Sequence, residues 1–269
     1  MTPTLISVLS VVLYFLGGVL LARRLALMPA QQPSRAPALL AGFVAVGLHA
    51  WLLYRTIPSD AGLQLGLVNM VSLAAGSIAL LLLLTALLRP VENLGIVVLP
   101  MAGLGVAFAQ WGPTLSARSE LFDPGLELHI VLSVVAYALL SIAVLQAGLL
   151  AIQEHHLRSR RPGGFIRALP PMQTMEQLLF QILTLGFALL SLSLLSGFLF
   201  IDDLFAQHLV HKTVLSLIAW GVFAMLLWGR YRFGWRGRTA IYWTLAGFVF
   251  LMLAYFGSKV VLELILQRG

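Results

Sequence analysis

Eight long apolar runs constrain the fold of this chain more than any other feature of its sequence. They cover residues 5–21, 38–53, 65–88, 94–109, 126–152, 178–201, 209–228 and 240–266. Each run is close to the roughly 20 residues that an α-helix needs to cross a bilayer. Membrane hydrocarbon offers the backbone no water to bond, and the alternating pattern of a membrane β-strand is missing. We therefore predict an all-α polytopic membrane protein with about eight transmembrane helices, forming a single transmembrane domain over residues 1–269.

The composition excludes a water-soluble fold. Of the 269 residues, 60% are hydrophobic and 10% are charged, whereas an ordinary soluble domain carries about 25% charged residues. The chain has no cysteine, which excludes disulfides, thiolate metal sites and thiol chemistry. Its net charge of +7 comes from arginines in short clusters between apolar runs, as in membrane proteins. We therefore expect the chain to lie in a lipid bilayer and not to bind nucleic acid.

The distribution of basic residues predicts the orientation. Twelve arginines lie in the odd-numbered loops, against five basic residues on the other side. Because basic loops stay in the cytoplasm, the odd loops are predicted to be cytoplasmic and the N-terminus to lie on the outer side of the membrane. The twelve are Arg23, Arg24, Arg35, Arg89, Arg158, Arg160, Arg161, Arg167, Arg230, Arg232, Arg236 and Arg238, and the five are Arg55, Arg118, Lys212, Lys259 and Arg268.

The first and fourth runs each allow a second interpretation. The first run resembles a signal peptide in length, but Arg23 and Arg24 follow it instead of preceding it, which favours a retained helix. The fourth run is short and contains Pro100, so a re-entrant segment is the alternative to a full crossing. The arginine count favours the crossing, because a re-entrant segment would reverse the sides of all later loops.

Histidines within the spans are the first candidates for a functional site, because polar side chains inside a membrane are costly. His129 opens the fifth span, His208 and His211 lie at the start of the seventh, and His49 lies in the second. The predicted topology places all four near the outer surface, and a neutral imidazole is a natural ligand for haem iron or for a transition metal. We predict that they gather around one cofactor. The alternative is that each bonds to nearby backbone or water, or, for His49, to a neighbouring helix.

Two further residues, Lys259 and Glu263, lie one helical turn apart near the outer end of the eighth span and are predicted to pair there. The sequence contains no P-loop, zinc-protease motif or nucleophile elbow. No catalytic residue is therefore predicted, no metal is expected beyond haem iron, and the chain is not expected to be an enzyme.

Several segments resemble the cytochrome c assembly protein family, which includes the CcsA and CcmC haem-handling proteins and the HemX and YpjD branch. The segments Leu126-Glu127-Leu128-His129 and Pro90-Val91-Glu92-Asn93-Leu94 are most like the YpjD branch. The C-terminal third carries the rest of the resemblance, including the further site candidates Lys212 and Trp220. Its segments are Leu195-Ser196-Gly197-Phe198, His211-Lys212, Ile218-Ala219-Trp220, Gly234-Trp235-Arg236-Gly237-Arg238 and Leu253-Ala254-Tyr255-Phe256-Gly257-Ser258-Lys259.

The resemblance implies a haem-binding protein of the bacterial inner membrane, with its N-terminus in the periplasm, that delivers or exports its cargo. In haem-handling members of the family, histidines hold haem at the outer face, and His129 matches the outer-face histidine that opens a helix. With His211 it forms the best predicted ligand pair. The expected cofactor is haem or a related tetrapyrrole. The expected partners are other membrane proteins, an apocytochrome or another haem acceptor.

Two departures from the family pattern support another hypothesis. Haem-handling members carry a tryptophan-rich segment where this chain has residues 199–208, which include no tryptophan, and Trp228 stands where they carry a histidine. The alternative is an accessory or regulatory subunit of a transporter or of a tetrapyrrole-synthesis enzyme, without a cofactor. A transporter for a small solute ranks last, because buried carboxylates and paired broken helices are scarce.

Overall fold

A computed structural model describes residues 2–27, 31–59, 62–112, 119–120, 123–159, 166, 168–200 and 210–257. Within these ranges, eight helices are long and apolar enough to cross a membrane, which confirms the predicted fold class. The helices are α1 (Pro3–Ala26), α2 (Ala36–Thr56), α3 (Leu67–Leu88), α4 (Gly95–Trp111), α5 (Pro124–Arg158), α6 (Met172–Phe200), α7 (Val210–Phe233) and α8 (Gly237–Met252). Helix α8 continues as a π-helical turn, Leu253–Gly257, and a short 3-10 helix, Glu92–Leu94, precedes α4.

Extended structure in the described residues is limited to three short strands. Strand β1 (Pro58–Ser59) pairs antiparallel with β2 (Gly62–Gln64) between α2 and α3, and β3 covers Ser119–Glu120. These strands belong to loops between helices.

Several helices extend beyond the apolar runs that predicted them. Helix α5 has 35 residues and continues to Arg158, and α6 begins at Met172 instead of residue 178. Hydropathy marks only the part of a helix that lies in hydrocarbon, whereas backbone hydrogen bonding continues into the polar interface.

The fourth span is a helix in spite of its proline. Together with the preceding 3-10 turn it covers 20 residues, Glu92–Trp111, with Pro100 inside. A Cβ atom added at Gly18 of α1 would lie 2.8 Å from Pro100 Cγ, so glycine leaves room for the ring. This length is sufficient for a full crossing.

The chain separates into two compact units. Unit 1 comprises residues 1–115 and 155–171, and unit 2 comprises residues 116–154 and 172–269. Unit 1 therefore contains α1 to α4, and unit 2 contains α5 up to Glu154 together with α6 to α8. The single domain over residues 1–269 stays a prediction.

In unit 1, α1 packs against α2 and α4, and α3 packs against the same two helices. Small residues allow close approach between membrane helices. At Gly17, an added Cβ would lie 2.9 Å from Leu99 Cδ1 and 3.3 Å from the Ala38 carbonyl oxygen. The buried Ser10 hydroxyl donates to the Ala45 carbonyl oxygen at 3.1 Å, which joins α1 to α2 by a hydrogen bond.

In unit 2, helices also approach through glycines. Gly186 of α6 faces Leu140 of α5, and Gly247 of α8 faces the ring of Phe223 of α7. The buried Gln146 amide donates to the Met175 carbonyl oxygen at 3.1 Å, where α6 has just begun. This bond satisfies both a buried amide and a backbone carbonyl.

A tight turn joins α7 to α8 in unit 2. Gly234 and Gly237 have φ angles of +68° and +51°, which favour glycine because it has no Cβ. Between them, the Trp235 ring packs directly onto Gly229, and the Trp235 carbonyl oxygen accepts a hydrogen bond from Arg230 Nη1 at 3.1 Å. The Gly-Trp-Arg-Gly segment is therefore a structural turn.

Candidate functional site

His129 lies in the second turn of α5 in unit 2, with its side chain half-buried. The helix start is capped by Asp123, whose Oδ2 accepts a hydrogen bond from the Leu126 amide at 2.8 Å. Such a cap satisfies an amide that would otherwise have no partner in the first turn. The cap stabilises the helical turn that positions His129.

The hydrogen bond at Nδ1 of His129 defines which ring nitrogen remains available. Nδ1 lies 2.9 Å from the Ser193 carbonyl oxygen of α6, and the Ser196 hydroxyl lies 3.2 Å away. A carbonyl oxygen can only accept, so Nδ1 carries the hydrogen. In the neutral ring the lone pair is then on Nε2. Metal-binding histidines in proteins commonly have this arrangement.

The hydroxyl next to Nε2 does not compete strongly for that lone pair. Ser133 Oγ lies 3.4 Å from Nε2 but donates to the His129 carbonyl oxygen at 2.7 Å. It also lies 2.7 Å from Ser193 Oγ, which can donate to it. Because a hydroxyl has one hydrogen, Ser133 has none left for Nε2 when it bonds the carbonyl.

Gly197 provides the space for the His129 ring. A Cβ atom at Gly197 would lie 2.9 Å from Cε1 and 3.1 Å from Nδ1 of His129. Both Gly197 and Ser193, four residues earlier, are buried on the α6 surface that faces α5. The sequence did not predict Ser133, Ser193 or Gly197 as site residues. Small residues four positions apart on one helix were the available signal.

An aromatic cluster closes the same face of α5 further along the helix. Tyr137 lies two turns after His129 and is only 6% exposed. Its ring stacks on Tyr255 at 4.9 Å and lies 5.5 Å from Phe248 and 5.6 Å from Phe256. Tyr255 and Phe256 belong to the π-helical turn, a feature often found near functional sites. Two turns beyond His129, this face of α5 is therefore covered by packed aromatic rings.

His49 in unit 1 has a different environment. Its side chain is 1% exposed, with Nδ1 at 3.1 Å from the Tyr14 hydroxyl and Nε2 at 2.8 Å from the Ser72 hydroxyl. In either neutral tautomer, one hydroxyl donates to the ring and the ring donates to the other. Both ring nitrogens of His49 therefore have hydrogen-bond partners on neighbouring helices. This is the alternative that the sequence allowed for His49, a hydrogen bond between helices. Ligation of iron would require one of these bonds to break.

A small cavity of about 40 Å³ lies beside His49 in unit 1. A cavity needs only about 10–15 Å³ of such volume to hold one water molecule. One wall is formed by Ser7, whose hydroxyl donates to Gln110 Oε1 at 3.0 Å. The lining residues are Ser7, His49, Leu52, Leu53, Thr56, Asn69, Ser72, Val106, Ala109 and Gln110. This polar space is large enough for a few waters.

The remaining predicted site residues differ in exposure and in their contacts. His211 is the second residue of α7 and is exposed, whereas Lys212 is partly exposed. Trp220 donates from Nε1 to Ser191 Oγ at 2.9 Å and stacks on Phe187 at 5.6 Å, so it joins α7 to α6. His208, Lys259 and Glu263 lie outside the described residues.

No metal-binding cluster was found in the part of the chain that the structure describes. The criterion is a group of three or more His, Cys, Asp or Glu side chains placed to hold an ion. The predicted gathering of His129, His208, His211 and His49 around one cofactor stays a prediction.

Ion pairs lie at the helix ends that are predicted to be cytoplasmic. In unit 2, Glu176 Oε1 lies 2.7 Å from Arg230 and 3.6 Å from Arg236. In unit 1, Arg35 pairs with Glu92 at 3.1 Å. These carboxylates offset part of the positive charge that the arginine-rich loops concentrate on this side.

Comparison with known proteins connects these features to a family. The model of the family described as "Cytochrome C assembly protein" matches residues 36–266. The inner membrane protein YpjD of Escherichia coli K12 is 36% identical over 237 residues, covering 86% of this chain and 88% of YpjD. The cytochrome c biogenesis protein CcsA of Prochlorococcus marinus MIT 9313 is 29% identical over 191 residues, covering 59% of this chain and 60% of CcsA.

Protein HemX of Brevibacillus brevis is a further relative, 24% identical over 166 residues, which cover 61% of this chain and 60% of HemX. No solved structure matches the chain. The eight helices and the likeness to YpjD make this a multi-pass protein of the bacterial inner membrane. The extent of the family match shows that the chain belongs to the cytochrome c assembly protein family.

Proposed function

We propose that this chain is a non-catalytic haem carrier that binds its cargo through Nε2 of His129. The observation that carries the proposal is the hydrogen bond from Nδ1 to the Ser193 carbonyl oxygen at 2.9 Å. It holds the ring in the tautomer whose Nε2 can bind iron, and it orients the ring. Family membership supports haem as the cargo. One relative, CcsA of Prochlorococcus marinus, is a cytochrome c biogenesis protein.

The surroundings of His129 fit such a ligand. Gly197 admits the ring, Ser133 directs its hydrogen to the backbone, and the half-buried position leaves part of the side chain accessible. His211 is the proposed second ligand, because it is exposed at the start of α7 in the same unit. Haem would be held at the predicted periplasmic half and passed to an acceptor such as an apocytochrome.

The test is an absorption spectrum of the full-length protein, purified after expression in haem-sufficient cells. We expect a Soret band in the wild type and its loss in His129→Ala, with haem retention reduced by more than about tenfold. His211→Ala tests the second ligand. His155→Ala is the matched control, because His155 is an exposed histidine near the other end of α5. Wild-type protein without haem, or equal losses in His129→Ala and His155→Ala, would overturn the proposal.

The second candidate function is an accessory subunit of another membrane protein, without a cofactor. It is supported by the absence of tryptophan from residues 199–208 and by Trp228 in place of a family histidine. This function predicts a partner that co-purifies from native membranes and remains bound in His129→Ala. Haem in the purified wild type, lost in that variant, would favour the carrier instead.

A further inference from the structure

A groove along α6 in unit 2 has no role in the proposed haem site. It has a volume of about 560 Å³ and is bordered by Arg230 of α7. Its α6 residues follow the spacing of one helix face: Gln177, Phe180, Gln181, Thr184, Leu185 and Ala188. These 11 residue steps correspond to about 16 Å along the helix. The groove is therefore long enough for an extended chain.

The polarity of the groove changes along its length. Gln177, Gln181 and Arg230 lie at the end near the start of α6, whereas Leu185 and Ala188 lie further into the membrane span. Leu185 is 55% exposed, so the described structure leaves this apolar end uncovered. An occupant that matches both ends is amphipathic, with its polar group beside Arg230.

Arg230 is held in position by its own contacts. Nη1 donates to Glu176 Oε1 at 2.7 Å and to the Trp235 carbonyl oxygen at 3.1 Å, and the guanidinium carbon lies 4.4 Å from the centre of the Phe180 ring. Nη2 and Nε have no hydrogen-bond partner among the described residues. The Arg230 side chain is 24% exposed, so these two nitrogens can be reached from outside. A guanidinium fixed in this way offers a planar pair of donors that suits a phosphate.

The local charge favours an anion. Glu176 is the carboxylate that pairs with Arg230, and Arg236 lies 3.6 Å from the same Oε1 atom. Two guanidinium groups against one carboxylate leave a net positive charge beside the groove. A zwitterionic headgroup has no net charge to complement this surface.

We propose that the groove binds one anionic phospholipid, with its phosphate at Arg230 and an acyl chain along Leu185 and Ala188. A soluble anion would make no use of the apolar wall, whereas a lipid satisfies both ends. Helix α7 leaves most of its surface unpacked, with 17% of its span buried against 44% for α6, so lipid can enter from the side. The arginine-rich end is predicted to be cytoplasmic, which assigns the lipid to that leaflet.

Counting bound lipids by native mass spectrometry tests this site. The delipidated full-length protein is titrated with dioleoyl phosphatidylglycerol or dioleoyl phosphatidylcholine. We expect one retained phosphatidylglycerol, with about tenfold preference over phosphatidylcholine, because the choline ammonium cancels the phosphate charge that attracts the lipid to the two arginines. Arg230→Gln should remove the preference, and Arg232→Gln, an exposed arginine on the same helix, should keep it.

A second variant separates lipid binding from folding, because Arg230→Gln also breaks the contact with Glu176. Ala188→Phe fills the apolar end without touching the ion pair, and it should weaken retention of both lipids. Equal retention of the two lipids by the wild type would overturn the proposal. So would equal losses in Arg230→Gln and Arg232→Gln, displacement of the lipid by inorganic phosphate, or a bound protein in its place. Lipid retention is measured independently of haem.

Discussion

His49 and His129 both lie against a neighbouring helix, but they differ in burial and in hydrogen bonding, and these differences separate their roles. In unit 1, His49 of α2 packs against Gly76 of α3, and in unit 2, His129 of α5 packs against Gly197 of α6. In both cases a serine four residues before the glycine, Ser72 or Ser193, also bonds the ring. His49 is bonded at both nitrogens, whereas His129 is firmly bonded at Nδ1 alone.

Similar local surroundings thus give a structural link at His49 and a ligand candidate at His129. A fully buried imidazole with two hydroxyl partners joins three helices, because Tyr14, His49 and Ser72 belong to α1, α2 and α3. A half-buried imidazole with one carbonyl partner keeps a lone pair for a metal. Stability measurements and haem retention should therefore respond to different variants.

The largest effect on stability is expected for His49→Ala. The change leaves the Tyr14 and Ser72 hydroxyls buried without their ring partner and creates a cavity, so the free energy of unfolding should fall by about 2–4 kcal/mol. His129→Ala should cost about 1 kcal/mol, because its ring is only half-buried. Unfolding by SDS titration, followed by tryptophan fluorescence, measures both. Equal destabilisation by the two variants would contradict the comparison.

The next largest loss of stability is expected for alanine substitutions at Gly76 and Gly197, which pack against the two histidine rings. In Gly76→Ala, the new Cβ would lie 3.0 Å from Cε1 and Nδ1 of His49. Because His49 is held on both sides, we expect a loss of about 1–3 kcal/mol in the same unfolding assay. In Gly197→Ala, the less constrained His129 can shift, so the stability loss should be smaller while haem retention falls about tenfold. Unchanged haem retention in Gly197→Ala would argue against ligation by His129.

A smaller effect is expected for Tyr14→Phe. It removes the hydroxyl at 3.1 Å from His49 Nδ1 and keeps the ring that fills the core of unit 1. Loss of one hydrogen bond corresponds to about 1 kcal/mol of unfolding free energy. The Soret band should remain at wild-type intensity. A loss of haem in this variant would show that the two histidine sites are not separate.

The smallest effect is expected for Ser133→Ala. Its hydroxyl bonds the carbonyl of the preceding helical turn, so the stability change should stay within about 0.5 kcal/mol. Haem retention should not change, because Ser133 is not expected to donate to Nε2. A tenfold loss of haem, measured by the same absorption spectra, would instead assign Ser133 a role in holding the ligand.

The sequence predicted the membrane spans well and their ends less well. A run such as residues 65–88 agrees closely with α3, which begins two residues later, at Leu67, and ends at the same residue, Leu88. By contrast, α5 continues past residue 152 to Arg158, through polar residues that hydropathy does not score. The backbone gains the same helical hydrogen bonds there, whatever the polarity of the side chains.

The candidate histidines were also predicted in part. His49 and His129 were identified because a polar side chain in a membrane is costly. Their partners were not predicted, because Ser193 is 64 residues from His129 and Tyr14 is 35 residues from His49. Periodicity within one helix contains no information about which residue of another helix will lie opposite.

The number of spans and the helical nature of the chain were determined by the sequence alone, since only a helix can satisfy the backbone through hydrocarbon of known thickness. The tertiary structure decided which nitrogen of each imidazole is occupied. A ring nitrogen is occupied by whatever donor or acceptor an adjacent helix brings within about 3 Å. That choice follows from long-range packing at residues such as Gly76 and Gly197.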